Sequence, residues 1–216
     1  RTAVKAALVL GGRRPDPALL ARETASAELV IGVDRGASYL FKQGIIPDRA
    51  VGDMDSLAAP ELAALRERGV PVETHPAHKD ETDGQLAVDL ALREGARELV
   101  LLAADGGRPD HEFANYLILR RAAQAGVRAR IAAAWGEAIV TGGRVEFAGW
   151  PGRVVSILPL CESLDVGPTG GLAYEVGRPA LTLDHTRGVS NLMTGERAFV
   201  TIERGWALIF LINDTV

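Results

Sequence analysis

Several apolar runs in the first half of this chain give way at once to polar clusters, with helix-like segments between them. Leu29-Val30-Ile31-Gly32-Val33 ends in Asp34-Arg35-Gly36-Ala37, and Arg49-Ala50-Val51 runs into Gly52-Asp53-Met54-Asp55-Ser56. Residues 98–104 end in Asp105-Gly106-Gly107-Arg108, while the first apolar run, residues 4–10, stops at Gly11-Gly12. Helices are expected over residues 17–25 (Asp16 as N-cap, Pro17 at the first position), 37–43, 60–68, 82–94 and 110–124. Apolar strands alternating with helices imply an α/β layer built on a doubly wound, mostly parallel sheet. Ligands of such sheets lie off the carboxyl ends of the strands, which is where the polar clusters fall.

The pattern changes after Val127. Short segments separated by Gly and Pro replace the helices: 127–133, 138–141, 144–147, 154–158, 164–166, 172–176, 181–183, 198–202 and 206–211. Gly142-Gly143 reads as a hairpin signal. The expected organisation is an α/β domain over residues 1–130 and a small all-β, sandwich-like domain over 131–216. With 216 residues, 47% of them hydrophobic, there is material for a substantial core. The net charge of −4 offers no basic footprint for nucleic acid, and no apolar run is long enough to span a bilayer, so neither partner is expected. No charged-then-apolar leader is visible, and the single cysteine, Cys161, excludes an internal disulfide. The expected location is cytoplasmic.

The clusters suggest one kind of chemistry. Asp53 and Asp55 are anions one residue apart; they repel unless a cation, a proton or a donor offsets them. A carboxylate pair on a loop after a strand suits Mg²⁺, and equally suits a turn in which Asp53 caps backbone amides. Lys79-Asp80-Glu81-Thr82-Asp83 opens a helix, where Asp80 and Asp83 fall on one face near its partial positive end; they read either as a helix cap with first-turn acids or as a second pair of Mg²⁺ ligands facing Asp53 and Asp55. Four converging carboxylates are self-repelling alone and balanced by Mg²⁺ with a polyphosphate. In Gly106-Gly107-Arg108-Pro109-Asp110-His111, paired glycines allow close backbone approach, a helix start offers amides to phosphate, and Arg108 can fork onto phosphate oxygens. Asp110 is the expected N-cap there. None of these segments matches a Walker loop or a dinucleotide fingerprint, and no Ser-His-Asp set, zinc spacing or reactive-cysteine context is visible.

In their order and spacing these clusters resemble the thiamin pyrophosphokinase (thiamin diphosphokinase) family. The motifs that carry the resemblance are Asp34-Arg35-Gly36-Ala37, Pro47-Asp48, Gly52-Asp53-Met54-Asp55-Ser56, Lys79-Asp80-Glu81-Thr82-Asp83 and Gly106-Gly107-Arg108-Pro109-Asp110-His111 with Asn115. In the β half, Thr169-Gly170-Gly171-Leu172-Ala173-Tyr174 and Gly188-Val189-Ser190-Asn191 are similar to two further family elements. The resemblance implies transfer of the β,γ-diphosphoryl group of ATP to thiamin, with Mg²⁺ as cofactor. It also implies a homodimer in which thiamin sits between one protomer's α/β domain and its partner's β domain. Carried over by position, Asp53, Asp55, Asp80 and Asp83 hold metal and diphosphate. Asp34, Arg35, Gly36, Lys79, Thr82, Gly106, Gly107, Arg108, Asp110 and His111 line the nucleotide side. Lys79, Asp83, Leu172, Ser190 and Asn191 lie near thiamin. Asp53, Asp55, Asp83 and Arg108 form the catalytic group, with Asp55 and Asp83 both candidates for the carboxylate that takes the thiamin proton.

The chain departs from the family pattern at three places. Arg35 stands where the family has glycine, Met54 replaces an aromatic residue, and Asp105 adds a negative charge beside a phosphate site. Tyr174 and Trp206 are either rings for stacking on thiamin or, as burial tendencies favour, β-domain core. The rival readings are a diphosphokinase for another alcohol, such as a hydroxymethylpterin, and a non-catalytic ligand-binding relative.

Overall fold

In a computed structural model, residues 4–74, 81–177 and 179–213 are described, and the chain divides into two compact units, Arg1–Ala134 and Trp135–Val216. The first unit runs β1 (Val4–Val9), α1 (Pro17–Ala25), β2 (Leu29–Val33), α2 (Arg35–Phe41), β3 (Arg49–Val51), α3 (Ala59–Glu67), β4 (Val72–Glu73), α4 (Asp83–Arg93), β5 (Ala96–Leu102), α5 (Pro109–Gln124) and β6 (Arg128–Ala133). Its strands are ordered β4-β3-β2-β1-β5-β6, every pair parallel. The chain steps outward from β1 to β4 and then restarts on the other side with β5. The switch point therefore lies between β1 and β5, where α/β sheets hold ligands.

Both faces of this sheet are covered, which is why its strands read as continuous apolar runs. Leu19 and Leu20 of α1 and Leu40 of α2 pack on Ala7, Val9, Val30, Val100 and Leu102. Strand alternation turns Ala6, Leu8, Ile31 and Leu99 the opposite way, and all four are fully buried. Residues 128–133, grouped by sequence with the short strands of the second half, are instead the parallel partner of β5.

The second unit contains β7 (Gly136–Thr141), β8 (Arg144–Ala148), β9 (Val154–Pro159), β10 (Ser163–Gly170), β11 (Leu181–Thr182), β12 (Asn191–Leu192), β13 (Arg197–Arg204) and β14 (Ala207–Ile212). Two antiparallel arrays form, β12-β9-β14-β7 and β11-β10-β13-β8. Val155, Ile157, Leu164, Val200, Ile202 and Ile209 share one core. The Gly142-Gly143 pair is not a hairpin turn. β7 pairs with β14 and β8 with β13, so the glycines carry the chain from one sheet to the other. The corner between β13 and β14 lies beside it: a Cβ on Gly142 would press on the Trp206 ring. Trp206 thus packs at a corner. The strand expected over 172–176 is also absent; the segment makes only an isolated bridge, Leu172 with Met193. No helix among the described residues is long and apolar enough to cross a membrane.

Candidate active site

The site is built from the turns that leave β1, β2, β3 and β5. After β2 the backbone reverses at Asp34, which has φ 47° and donates its N–H to the Val51 carbonyl (2.9 Å). That bond ties the end of β2 to the end of β3. The Asp34 carboxylate lies over Gly52, at φ 127°, where a Cβ would clash with it. Gly36 is buried against the Val9 carbonyl and has no room for a Cβ. Its glycine lets α2 seat on the end of β1 and does not form the cleft wall described below.

After β3, Met54 adopts φ 61° and drops into a small core with Ala37, Ala50 and Leu65. Asp53 and Asp55 on either side are left exposed. Asp53 Oδ1 accepts the Asp55 N–H (3.1 Å), and Asp55 Oδ1 accepts from the Ser56 hydroxyl (3.1 Å). The capped turn that sequence allowed is therefore present, with an exposed carboxylate on each side of a buried anchor.

Asp83 is the first residue of α4, and the Thr82 hydroxyl caps the helix by accepting the Gln85 N–H (3.2 Å). Lys79 and Asp80 lie outside the described residues. At α5 the cap position is Arg108, with Pro109 at the first helical position, so Asp110 is not the N-cap. Proline needs no N–H acceptor at that position, which moves the helix start one residue earlier. Asp110 instead receives the Arg108 guanidinium in a fork, 3.2 Å from Nε and 2.6 Å from Nη2. Its carboxyl is held down to about 2, chiefly by that bond, so the pair stays ionised at any working pH.

These turns enclose a cleft of about 420 Å³. Its wall includes Asp34 and Arg35, Ser56, Thr82 and Asp83, and Gly106, Gly107, Arg108 and His111. Gly36, Asp53, Asp55 and Asp110 are not in the wall, although Asp53 and Asp55 belong to the loop that supplies Ser56. Gly11, Gly12 and Glu112 line the cleft too and carry no role in the sequence reading. The sequence cue for the first two is a glycine pair directly after the first strand of a parallel sheet. A Cβ on Gly12 would meet the Ala103 and Asp105 carbonyls, so this pair lets β1 and β5 close together at the switch point. The Asp105 side chain is buried, with a carboxylate oxygen 4.0 Å from Arg13 Nε. Its charge is thereby turned toward a guanidinium.

In the β unit, Asn191 is 5% exposed and acts as a clasp: its Oδ1 accepts from Tyr174 N (3.1 Å) and Leu192 N (2.8 Å), and its Nδ2 donates to Tyr174 O (2.8 Å). Ser190 is exposed at φ 63°, its N–H bonded to Ser156 Oγ (3.1 Å). Leu172 is half-buried against the β core. Tyr174 is 62% exposed, so it is not the core residue that burial tendencies suggested.

Mg²⁺ takes hard oxygen donors and is usually held by one or two carboxylates together with substrate phosphates and water. The exposed Asp53–Asp55 pair and Asp83 have that chemistry, and no three His, Cys, Asp or Glu side chains among the described residues form a closed cage. The donor set fits a metal shared with a phosphate ligand.

A sequence-family model described as "Thiamin pyrophosphokinase, catalytic domain" matches residues 20–131. Thiamine pyrophosphokinase of Bacillus subtilis (strain 168) is 27% identical over 221 residues, covering 96% of this chain and 97% of its own length. A crystal structure of thiamine pyrophosphokinase from Bacillus subtilis superposes with a TM-score of 0.83 at 25% identity, covering 98% of this chain and all of that one. Thiamin pyrophosphokinase from Candida albicans shares the fold at 14% identity, with a TM-score of 0.82 over 98% of this chain and 90% of its own.

Proposed function

The chain belongs to the thiamin pyrophosphokinase family, and from that premise we propose that it transfers the β,γ-diphosphoryl group of ATP to the hydroxyl of thiamin, releasing AMP and thiamin diphosphate. The observation that carries this reading is the cleft at the β1/β5 switch point. There the starts of α4 and α5 and two glycine turns face one 420 Å³ space. Helix starts and glycine turns supply backbone amides for phosphate oxygens.

Roles follow from placement. Gly11, Gly12, Gly106 and Gly107 let the polyphosphate approach the backbone. Arg108, oriented by Asp110, neutralises charge at the mouth of the cleft, and Arg35 adds a second cation there. Asp53 and Asp55 would hold Mg²⁺, with Asp80 completing the set; when bound, the ion offsets the charge that builds on the transferred phosphates. Asp83 stands in the cleft wall and Asp55 does not, which favours Asp83 as the acceptor of the thiamin hydroxyl proton. Thiamin is completed by Lys79, Leu172 and Ser190, with the β unit supplied by a second copy in a homodimer. Asn191 shapes that surface through the backbone of Tyr174. We place the reaction in the cytoplasm, which suits a chain with a single cysteine.

The experiment is incubation with ATP, Mg²⁺ and thiamin, read for thiamin diphosphate. Product with a hydroxymethylpterin but none with thiamin would reassign the acceptor. ATP binding without turnover of either alcohol would leave a non-catalytic relative.

A further inference from the structure

The two glycines in the α5-side wall of the cleft pose a physical problem. Gly106 and Gly107 are consecutive residues at φ 72° and 84°. Glycine loses more conformational freedom on folding than any other residue, so such a pair holds one shape only if its surroundings fix it. Something must therefore pin this wall before a ligand arrives.

The pin is visible in α5. Glu112, in the helix's first turns, extends back to the loop, and its Oε2 accepts the Gly106 N–H at 2.8 Å. Its other oxygen accepts the Tyr116 hydroxyl at 3.2 Å, one helical turn further on. Burial, and then the Glu112 charge itself, push the Tyr116 phenol upward, so it remains a donor. Two neighbouring bonds hold the loop on either side of Gly106: Asn115 Nδ2 to the Ala104 carbonyl (2.8 Å) and Arg13 N–H to the Asp105 carbonyl (2.6 Å). Of these groups only Glu112 takes an amide of the glycine pair itself, and it does so with a charge, which makes the bond a strong one.

We propose that Glu112, anchored by Tyr116, is a positioning residue that fixes the Gly106-Gly107 wall in the form that receives the nucleotide phosphates. This rests on the ATP reading of the cleft and adds to it a residue outside the motif positions. The opposite possibility is that the carboxylate is a stand-in anion occupying an amide that phosphate would otherwise take. The two make opposite predictions. A positioning residue, once removed, weakens nucleotide binding; a stand-in, once removed, tightens it.

The test is calorimetric binding of ATP with Mg²⁺ in the absence of thiamin, on wild type, Glu112→Ala, Glu112→Gln and Tyr116→Phe, followed by KM and kcat for thiamin. The expected result is about a tenfold rise in the ATP Kd for Glu112→Ala, the size of one lost charge-assisted bond. Glu112→Gln, which keeps an acceptor oxygen, recovers most of that loss, and the KM for thiamin does not move. Tyr116→Phe, which removes only the anchor, shows a smaller rise of about threefold and serves alone if Glu112→Ala fails to fold. Unchanged or tighter ATP binding in Glu112→Ala, or in Tyr116→Phe where it stands alone, overturns the proposal. A wild type that binds ATP but makes no thiamin diphosphate defeats the acceptor assignment and leaves this test standing. A wild type that binds no ATP defeats both.

Discussion

In the α/β unit, several of the polar residues that follow the strands, Asp34, Arg35, Ser56 and Arg108 among them, line an open cleft. In the β unit, the polar residue most clearly marked by its motif, Asn191, turns inward and makes three bonds to the backbone of its own unit. The two look alike in sequence, since each is a short polar string beside glycine. They differ in what holds the polar atoms. Around the cleft the backbone is held by caps and by the buried Met54, which leaves Asp53 and Asp55 exposed and Asp83 in the cleft wall. In the β unit, residues 171–177 lack a strand ladder beyond one bridge, and the Asn191 amide takes its place. Two motif segments of similar composition are thus held in different ways, one with exposed carboxylates and one with its amide turned inward.

The largest effect that would break this contrast is at Asp55. Asp55→Asn keeps the size and the turn, so turnover should fall on the order of a hundredfold with an unchanged melting temperature. A loss of stability to match the loss of activity would show that the loop is scaffold after all. Next comes Asn191→Ala, which strands Tyr174 and Leu192 backbone groups. It should cost about 2 kcal/mol of stability and leave ATP binding untouched, as thermal unfolding and calorimetry would read. Ser190→Ala is smaller. The side chain is exposed, so stability should hold while the KM for thiamin rises about fivefold; no change in KM would remove Ser190 from the thiamin surface.

The finest test uses a polar residue of the α/β unit that is scaffold. Glu23 is buried on α1 and meets Arg130 at 2.6 Å and Lys5 at 3.3 Å. Burial alone would raise its carboxyl. Arg130, Arg22 and Lys5 outweigh that and hold it below the ordinary 4.5. A depressed carboxyl contributes stability above its unfolded value and loses it as pH falls through the folded one. Wild-type stability should therefore decline on acidification below about 4.5, and Glu23→Gln should be less stable at pH 7 yet decline less steeply. An identical pH slope in the two proteins would take Glu23 out of the acid transition.

Much of the α/β unit was legible because its signals are local. Asp16-Pro17 marks the start of α1 and caps it as read, and the apolar runs of β1, β2 and β5 end where the polar clusters begin. Misreadings arose where a local signal is blind to what lies across the sheet. Gly142-Gly143 turns the chain equally well within a sheet or between two, and only the pairing of β7 with β14 decides. Asp110 resembles a cap until Pro109 is recognised as the first helical residue. The inward hydrogen bonds of Asn191 were not legible either, because a motif says nothing of which way its amide faces. Glu112 went unnoticed because it falls between motif positions, and its partner Gly106 is six residues back, across the end of a helix.

On the proposed reaction the α/β cleft hands on two phosphates in one step. This is tested most directly by measuring both products of a single reaction with ATP, Mg²⁺ and thiamin. The expected products are AMP and thiamin diphosphate in equal amounts, with no ADP. ADP with thiamin monophosphate, or ATP consumption independent of thiamin, would contradict it.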